Sequence, residues 1–303
     1  MLRFEWNSAR LRDEDYVRLL NTAFDGNWSL PAFHWYFTRK FAGRVPDVVV
    51  AFDGDDPVSG GCLNYRRLRA PGGDIVEVAV VTAAWTSASA RGKGYYTAVM
   101  REVARFAAAN DCPLLLGFVL ADNPSAAGMK TAGAILVPTA YLVSHTGASA
   151  ASFPRHDVET IALPATEMYR LAERQADATI FDYPGVADWQ SQFMQRLDPV
   201  EVLKVGDAGY ALVERSEQSD RLQLLIAGDA QRAAVVASIA ARSAQRGREF
   251  FMFGTGDWTR RCGDAANLEI RPGFITCLPT NGLTGNIEAL IRSPWDLHSG
   301  DRM

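Results

Sequence analysis

The sequence predicts an α+β protein of two consecutive domains. Three observations carry that expectation. Residues 78–107 read as a strand, a glycine-bearing turn and a helix. The strand and helix order of the first half recurs in the second. Between them lies SHTGASAAS, Ser144 to Ser152, a linker by composition. The expected domains are residues 1–146 and 153–303.

In the first half, Leu11 to Phe24 has helical spacing, with Tyr16, Leu19, Leu20 and Ala23 on one face. Asp25-Gly26-Asn27 ends it, and Pro31 precedes a second helix, Ala32 to Phe41. Val48 to Phe52 and Ser59 to Arg69 read as a hairpin around Asp53–Pro57. Pro71-Gly72-Gly73-Asp74 turns into a long strand, Ile75 to Thr86. Tyr96, Val99, Met100, Val103, Phe106 and Ala107 recur at helical spacing in the next element. Leu114 to Leu120 is an apolar strand, a short helix follows Asn123-Pro124, and Ile135 to Val143 is again a strand.

The second half repeats this order. A helix runs from Pro164 to about Gln175. Strands are expected at Val200–Val205, Gly209–Arg215 and Arg221–Ala227, then a helix capped by Asp229 that stops at Gly247. The strand Glu249–Phe253, a short helix and the strand Phe274–Leu278 complete it. The tail from Pro294 is aromatic and charged; it is read either as disordered or as docked through Trp295.

Composition excludes several function classes. The chain has 303 residues, 48% hydrophobic and 22% charged, as in a soluble globular protein. Its net charge of −4 carries no signature of a nucleic-acid binder. No apolar run reaches membrane-spanning length, and the first residues do not read as a signal peptide. Cys62, Cys112, Cys262 and Cys277 are scattered, as small buried thiols in a reducing compartment would be, so a cytoplasmic location is expected. His34, His145, His156 and His298 form no ligand pattern, so no metal is expected. A monomer or homodimer is expected.

The chemistry concentrates at Arg91-Gly92-Lys93-Gly94, between the strand end and the helix. The first N–H groups of a helix have no partner within it and carry the positive end of its dipole. Gly92 and Gly94 let the main chain approach an anion, and Arg91 and Lys93 add charge. The pattern suits a phosphorylated ligand; a plain glycine turn with basic flanks is the alternative. It is not a Walker loop, because Ser87 stands where the first glycine belongs and Gly94 follows Lys93. It is not a dinucleotide fingerprint, because Thr97 holds the third glycine position.

The stretch resembles the acetyl-CoA loop of the GNAT acetyltransferase superfamily, Gln/Arg-x-x-Gly-x-Gly/Ala. Arg91 and Gly94 match, and Tyr96 departs at the last small position. Downstream, Asn123 starts a helix and Gly133 precedes a strand, also as in that superfamily; Asn123 before Pro124 equally makes a plain N-cap. The resemblance implies two tandem GNAT-like domains, each a mixed, mostly antiparallel sheet flanked by helices. It implies acetyl-CoA, or another acyl-CoA, as co-substrate, held by Trp85, Thr86, Arg91, Gly92, Lys93, Gly94, Tyr95, Tyr96 and Asn123. The pantetheine would lie along the main chain of Ala84–Thr86 and Gly117–Val119. The aromatic residues Trp28, Trp35 and Tyr36 either wall the acceptor site or simply pack on the sheet. The second half keeps only Gly228 where an anion loop belongs, so it reads as a degenerate repeat.

The implied reaction moves an acyl group to a small-molecule amine, directly in a ternary complex, with a cleft shared by both domains as the acceptor site. An acyl carrier protein is an alternative donor. The family's usual acid, a tyrosine four residues before the helix-ending glycine, is replaced by Met129. Tyr141 is then the nearest phenol and Glu77 the best-placed carboxylate, though Glu77 also reads as an exposed strand end. Arg66, Arg67 and Arg69 read as a solvated strand end, or as partners of an acidic acceptor or the adenosine phosphate. The competing function is a non-catalytic acyl-CoA-binding or partner-binding protein.

Overall fold

The computed structural model describes residues 2–144, 156–173 and 178–302. The linker and the expected boundary at 146–153 lie outside the described residues. The chain forms two compact units that interrupt one another along the sequence. Residues 1–137 with 275–292 make the first, and 138–274 with 293–302 the second.

Alternation within single strands builds the first unit. In β2 (Asp47–Asp53), Val49 and Ala51 face one core while Val48, Val50 and Phe52 face the other. That is the period of two expected of a strand covered on both sides. Its sheet runs β1 (Leu2–Trp6), β2, β3 (Asp56–Arg69), β4 (Ile75–Thr86), β5 (Leu114–Leu120), then the end of β13 (Glu269–Pro279). The β1–β2, β2–β3 and β3–β4 pairs are antiparallel and β4–β5 is parallel. Helices α1 (Asp13–Phe24) and α2 (Leu30–Phe37) cover one face through Tyr16, Leu20, Phe33 and Phe37. Helices α3 (Tyr95–Ala109) and α4 (Pro124–Ala132) supply Val99, Met100, Val103 and Met129 to the other.

Local chemistry fixes the helix ends. Acidic Asp13, Glu14 and Asp15 fill the first turn of α1, where they oppose the dipole. Ser29 accepts from the Ala32 amide at 3.3 Å to cap α2. Asn123 accepts from the Ser125 amide at 2.8 Å to cap α4, with Pro124 in its first turn. Gly133, at φ +107°, closes α4 in the left-handed region that favours glycine.

The second unit repeats the order. Its sheet runs from the end of β6 (Ile135–Ser144) through β12 (Glu249–Thr255), β11 (Ser219–Ala227), β10 (Gly209–Arg215), β9 (Val200–Val205) and β7 (Val158–Ile161). Only β11–β12 is parallel among these pairs. Helices α5 (Ala165–Ala172) and α6 (Val186–Phe193) place Met168, Trp189 and Phe193 on one face; β8 (Ile180–Asp182) lies between them in sequence. Helices α7 (Arg232–Gln245) and α8 (Asp257–Ala266) place Val235, Val236, Ile239 and Cys262 on the other. Helix α9 (Gly285–Arg292) belongs to the first unit. Each unit is thus a mixed, mostly antiparallel sheet flanked by helices.

Three expectations need correction. Arg66 is not solvated: it is 2% exposed, its guanidinium lies 4.4 Å from the centre of the Phe41 ring, and Nη1 donates to the Tyr65 carbonyl. Burying the stem against a ring while bonding the head explains how a strand arginine goes inside. The tail is not disordered, since Trp295, Leu297, His298, Ser299 and Asp301 are all buried. The helix after Asp229 begins only at Arg232, with Gln231 as its cap. β1, β7, β8 and α6 are short and give no clear sequence period.

Ile275, Cys277 and Leu278 of β13 are buried in the first unit, where the Thr276 hydroxyl donates to the Gly117 carbonyl at 3.3 Å. Each such apolar side chain contributes about 1.5–3 kcal/mol on burial. A chain ending at residue 146 is therefore expected to lose cooperative unfolding in calorimetry. A transition at the full-length temperature would refute this composition of the first unit. Gly128 offers a sharper probe, since an added Cβ would sit 2.5 Å from Cδ1 of Tyr96. Gly128→Ala is expected to cost about 1–3 kcal/mol by overpacking, read by urea denaturation; an unchanged midpoint would contradict this contact.

Candidate cofactor site

The site grows from an irregularity in β4. Gly60 pairs with Trp85 and Cys62 with Thr82, so Ala83 and Ala84 together oppose Gly61 alone. This is a β-bulge, and Ala83 takes φ +46° within it. The extra residue reverses the facing of side chains. Before it, odd-numbered Ala79 and Val81 face the α3 side; beyond it, odd-numbered Trp85 faces α1 and α2. Glycines on β3 make this possible. A Cβ at Gly60 would lie 2.5 Å from the Val49 carbonyl and 2.9 Å from Trp85 Nε1. The Ser59 hydroxyl donates to the Trp85 carbonyl at 2.7 Å and meets Thr86 Oγ1 at 2.9 Å.

β4 and β5 pair only at Ala79–Leu115 and Val80–Leu116. β4 then continues to Thr86 and β5 to Leu120 with no further register between them. Peptide groups on these facing edges are not used by a β4–β5 ladder, and such groups bond an extended ligand as a strand would.

The chain leaves β4 by a 3-10 turn at Ala88–Ala90 and reaches the glycine loop. Gly92 and Gly94 have φ +79° and +77°, and a Cβ at either would meet nothing within 4 Å. The loop is open on that side, and its backbone is held where glycine is favoured. Gly94 is the N-cap of α3, so the unpaired N–H groups of the first turn follow it directly. Lys93 is exposed. Arg91 Nη2 donates to the Ala23 carbonyl in the last turn of α1 at 2.9 Å, and the Tyr95 hydroxyl donates to Asp53 Oδ2 at 2.7 Å. Two side chains thus tie the loop to the rest of its unit.

Tyr96, at the small position of the motif, turns away from the loop. Its ring packs against Gly128 and the α3-side core, and burial raises its pKa while a Ser125 hydrogen bond opposes the rise. The glycine inside α4 is the sequence signal for this contact. Asn123 is a helix cap through its side-chain oxygen. Trp85 is 4% exposed, so its side chain is core, and its carbonyl accepts from Ser59 on β3.

Trp28 and Tyr36 flank the cluster that holds Trp85, with ring centres 5.2 Å apart. Trp35 lies 4.8 Å from Tyr36 and carries the Arg39 guanidinium 3.8 Å above its ring. The structure therefore brings Trp28, Tyr36 and Trp85 together, with Trp35 on the outer side.

Glu77 lies three residues before Val80, the last β4 residue paired with β5, roughly 10 Å of extended strand. Its carboxylate is 46% exposed and sits 3.9 Å from Arg67 Nε. Tyr141 belongs to the second unit, where it is 3% exposed beside Phe253 and its hydroxyl has no hydrogen-bond partner among the described residues. Burial raises its pKa, and Arg302, 4.7 Å from its ring centre, opposes the shift. Met129 is 1% exposed in the core and offers no proton. Among the described residues, no group of three or more His, Cys, Asp or Glu is placed to hold a metal, and no helix is long and apolar enough to cross a membrane. All four cysteines are buried and unpaired.

The equivalent place in the second unit is built differently. Gly228 does not have a positive φ, and Asp229 puts a carboxylate before α7, 3.2 Å from Arg232 Nε. β11 and β12 pair from Ser219–Glu249 to Leu222–Met252 and then part.

Several solved structures share this fold at low sequence identity. A tandem GNAT protein from the clavulanic acid biosynthesis pathway aligns with TM-score 0.62 at 14% identity, over 94% of this chain and 100% of its own. A GCN5-related N-acetyltransferase from Anabaena variabilis gives 0.61 at 14%, over 92% and 73%. One from Sphaerobacter thermophilus gives 0.59 at 15%, over 91% and 96%. No curated protein matches the chain in sequence. Residues 12–121, which span α1 to the end of β5 and include the bulge and the glycine loop, match the family described as the acetyltransferase (GNAT) domain.

Proposed function

We propose that the chain is an N-acyltransferase that transfers an acetyl or other acyl group from acyl-CoA to the amine of a small molecule, directly, with both bound at once. The observation that carries this reading is the parting of β4 from β5 immediately before the open glycine loop that starts α3. One element supplies edge peptide groups for an extended arm, and the next supplies unpaired N–H groups for a pyrophosphate. The residues fit such a co-substrate: Gly92 and Gly94 leave space where a Cβ would stand, and Arg91 and Lys93 bring positive charge. Acyl-CoA, when bound, supplies the activated thioester.

The chain's own contribution is positioning. Gly92, Gly94 and the first N–H groups of α3 hold the phosphates. The main chain of Ala84–Thr86 and Gly117–Val119 orients the arm. A main-chain N–H near Trp85 or Thr86 polarises the reacting carbonyl, and such a donor contributes about 3 kcal/mol in a transition state. Trp28, Tyr36 and Trp35 form the acceptor wall. With Met129 buried and Glu77 turned to Arg67, the amine proton leaves through water, and proximity carries most of the rate. The second unit is a degenerate repeat without an anion loop, as Asp229 and the ordinary φ of Gly228 favour.

A second reading, an acyl-CoA-binding protein without transferase activity, is favoured by one fact. Met129 is buried and offers no proton, and the Glu77 carboxylate is turned to solvent beside Arg67. Thiol release from acetyl-CoA with a panel of small amines separates the two readings. The transferase reading expects amine-dependent release at least tenfold above hydrolysis; binding without any release supports the second.

Gly94→Val tests the cradle. A non-glycine residue in the left-handed region costs about 1–2 kcal/mol, so thermal unfolding is measured alongside. CoA affinity by calorimetry is expected to fall at least tenfold while the protein remains folded. Unchanged affinity would place the cofactor elsewhere. Arg91→Ala is expected to weaken CoA several-fold, with a shallower dependence on salt; a salt dependence equal to the wild type would remove Arg91 from the phosphate site.

A further inference from the structure

The tail was an unassigned feature of the sequence, and the structure gives it a specific seat. After Leu222 and Met252, β11 and β12 part, and residues 295–301 lie against both strands at that point. The contacts to β12 combine one strand-like bridge with hydrogen bonds through hydroxyl side chains. The Phe253 amide donates to Ser299 Oγ at 2.7 Å. Gly254 forms an antiparallel bridge with His298. The Thr255 hydroxyl donates to the Trp295 carbonyl at 2.7 Å and accepts from the Leu297 amide at 2.8 Å. On the other side, a Cβ at Gly300 would lie 2.9 Å from the Gln223 carbonyl of β11 and 2.3 Å from Phe193 Cε1. Gln192 Nε2 donates to the Gly300 carbonyl at 2.6 Å, and the Tyr183 hydroxyl donates to Asp301 Oδ1 at 2.9 Å. Leu297 is fully buried and His298 is 2% exposed.

We infer that the parted strands β11 and β12 form a peptide-binding cleft whose ligand is the chain's own segment Trp295–Asp301, seated where the arm of an acyl-CoA would lie in an intact repeat. The second half of that statement rests on the acyl-CoA reading of the first unit; the first half does not. The physical logic is the same at both strand partings. Diverging strands leave peptide groups facing one another across a gap, and buried peptide groups must find partners. In the second unit, Ser299 Oγ and the backbone at His298 supply partners on β12, the segment then coils into a 3-10 turn at Ser299–Asp301 beside β11, and no anion loop is needed to hold it. Gly300 is the tightest point, because only a residue without a side chain passes between Phe193 and the β11 backbone. The consequence is one acyl-CoA site per chain.

Hydrogen exchange and calorimetry on full-length variants test this. Gly300→Val forces methyl groups against Phe193 and the Gln223 carbonyl. Ser299→Ala removes the hydroxyl that accepts from Phe253 without adding bulk, so it stays informative if Gly300→Val fails to fold. Exchange at the Phe253 and Leu297 amides is expected to rise at least tenfold in Gly300→Val and at Phe253 in Ser299→Ala, with the Leu115 and Leu116 amides of the first unit unchanged. Wild-type protection at Phe253 in both variants would overturn the seat. Wild-type protein titrated with CoA is expected to bind one equivalent; two would overturn the claim that the segment takes a cofactor's place. Zero equivalents together with the expected exchange changes would remove the acyl-CoA reading while the peptide cleft stands.

Discussion

Beyond Val80 and Leu116, two adjacent parallel strands stop bonding to each other, and much of the first unit follows from that parting. A parallel pair that opens leaves facing peptide groups that folding alone does not satisfy. The bulge at Ala83–Ala84 accompanies the opening on β4, and the bulge in turn requires Gly60 and Gly61 on β3. By reversing the strand's facing, it buries Trp85 among Tyr16, Phe33 and Phe37 and so anchors α1 and α2 to the end of β4. The glycine loop then leaves β4 from a fixed base, tied by Arg91 to Ala23 and by Tyr95 to Asp53.

The two units solve one geometric problem in two ways. Both contain a parallel pair that opens, with a helix starting from the strand that precedes the crossover. In the first, Gly92 and Gly94 hold left-handed backbone and basic residues surround the helix start. In the second, Asp229 pairs with Arg232 at the start of α7, and His298 bridges Gly254 on the opened edge. The fold of the second unit depends on covering the sheet, which α5 to α8 do.

The chemistry assigned to the first unit depends on main-chain groups more than on side chains. Met129 and Trp85 are buried and Tyr96 partly buried, each packed into a core cluster. Glu77 lies on β4 three residues before Val80, with its carboxylate beside Arg67. A strand spaces its residues at about 3.3 Å each, so sharing a strand with a site says nothing about reaching it.

The sequence by itself determined the elements whose period is written in apolar side chains. β4 at Ile75–Thr86 and β5 at Leu114–Leu120 are legible to the residue, and the order of elements in both halves follows from hydrophobic spacing. It also determined the glycine loop, because left-handed backbone at a helix start demands residues without a Cβ. What it did not determine is which way a side chain turns once a strand is irregular. One bulged residue inverts the facing of everything after it, and only the partner strand shows where that residue lies. Whether Tyr96 crowds the loop depended on Gly128, thirty-two positions away, and whether Arg66 meets water depended on the Phe41 ring. Nor did local spacing assign residues 275–292 to the first unit or 293–302 to the second. The tail's seat was decided by unpaired peptide groups on β12, and a backbone's unmet hydrogen bonds leave no mark in the order of side chains.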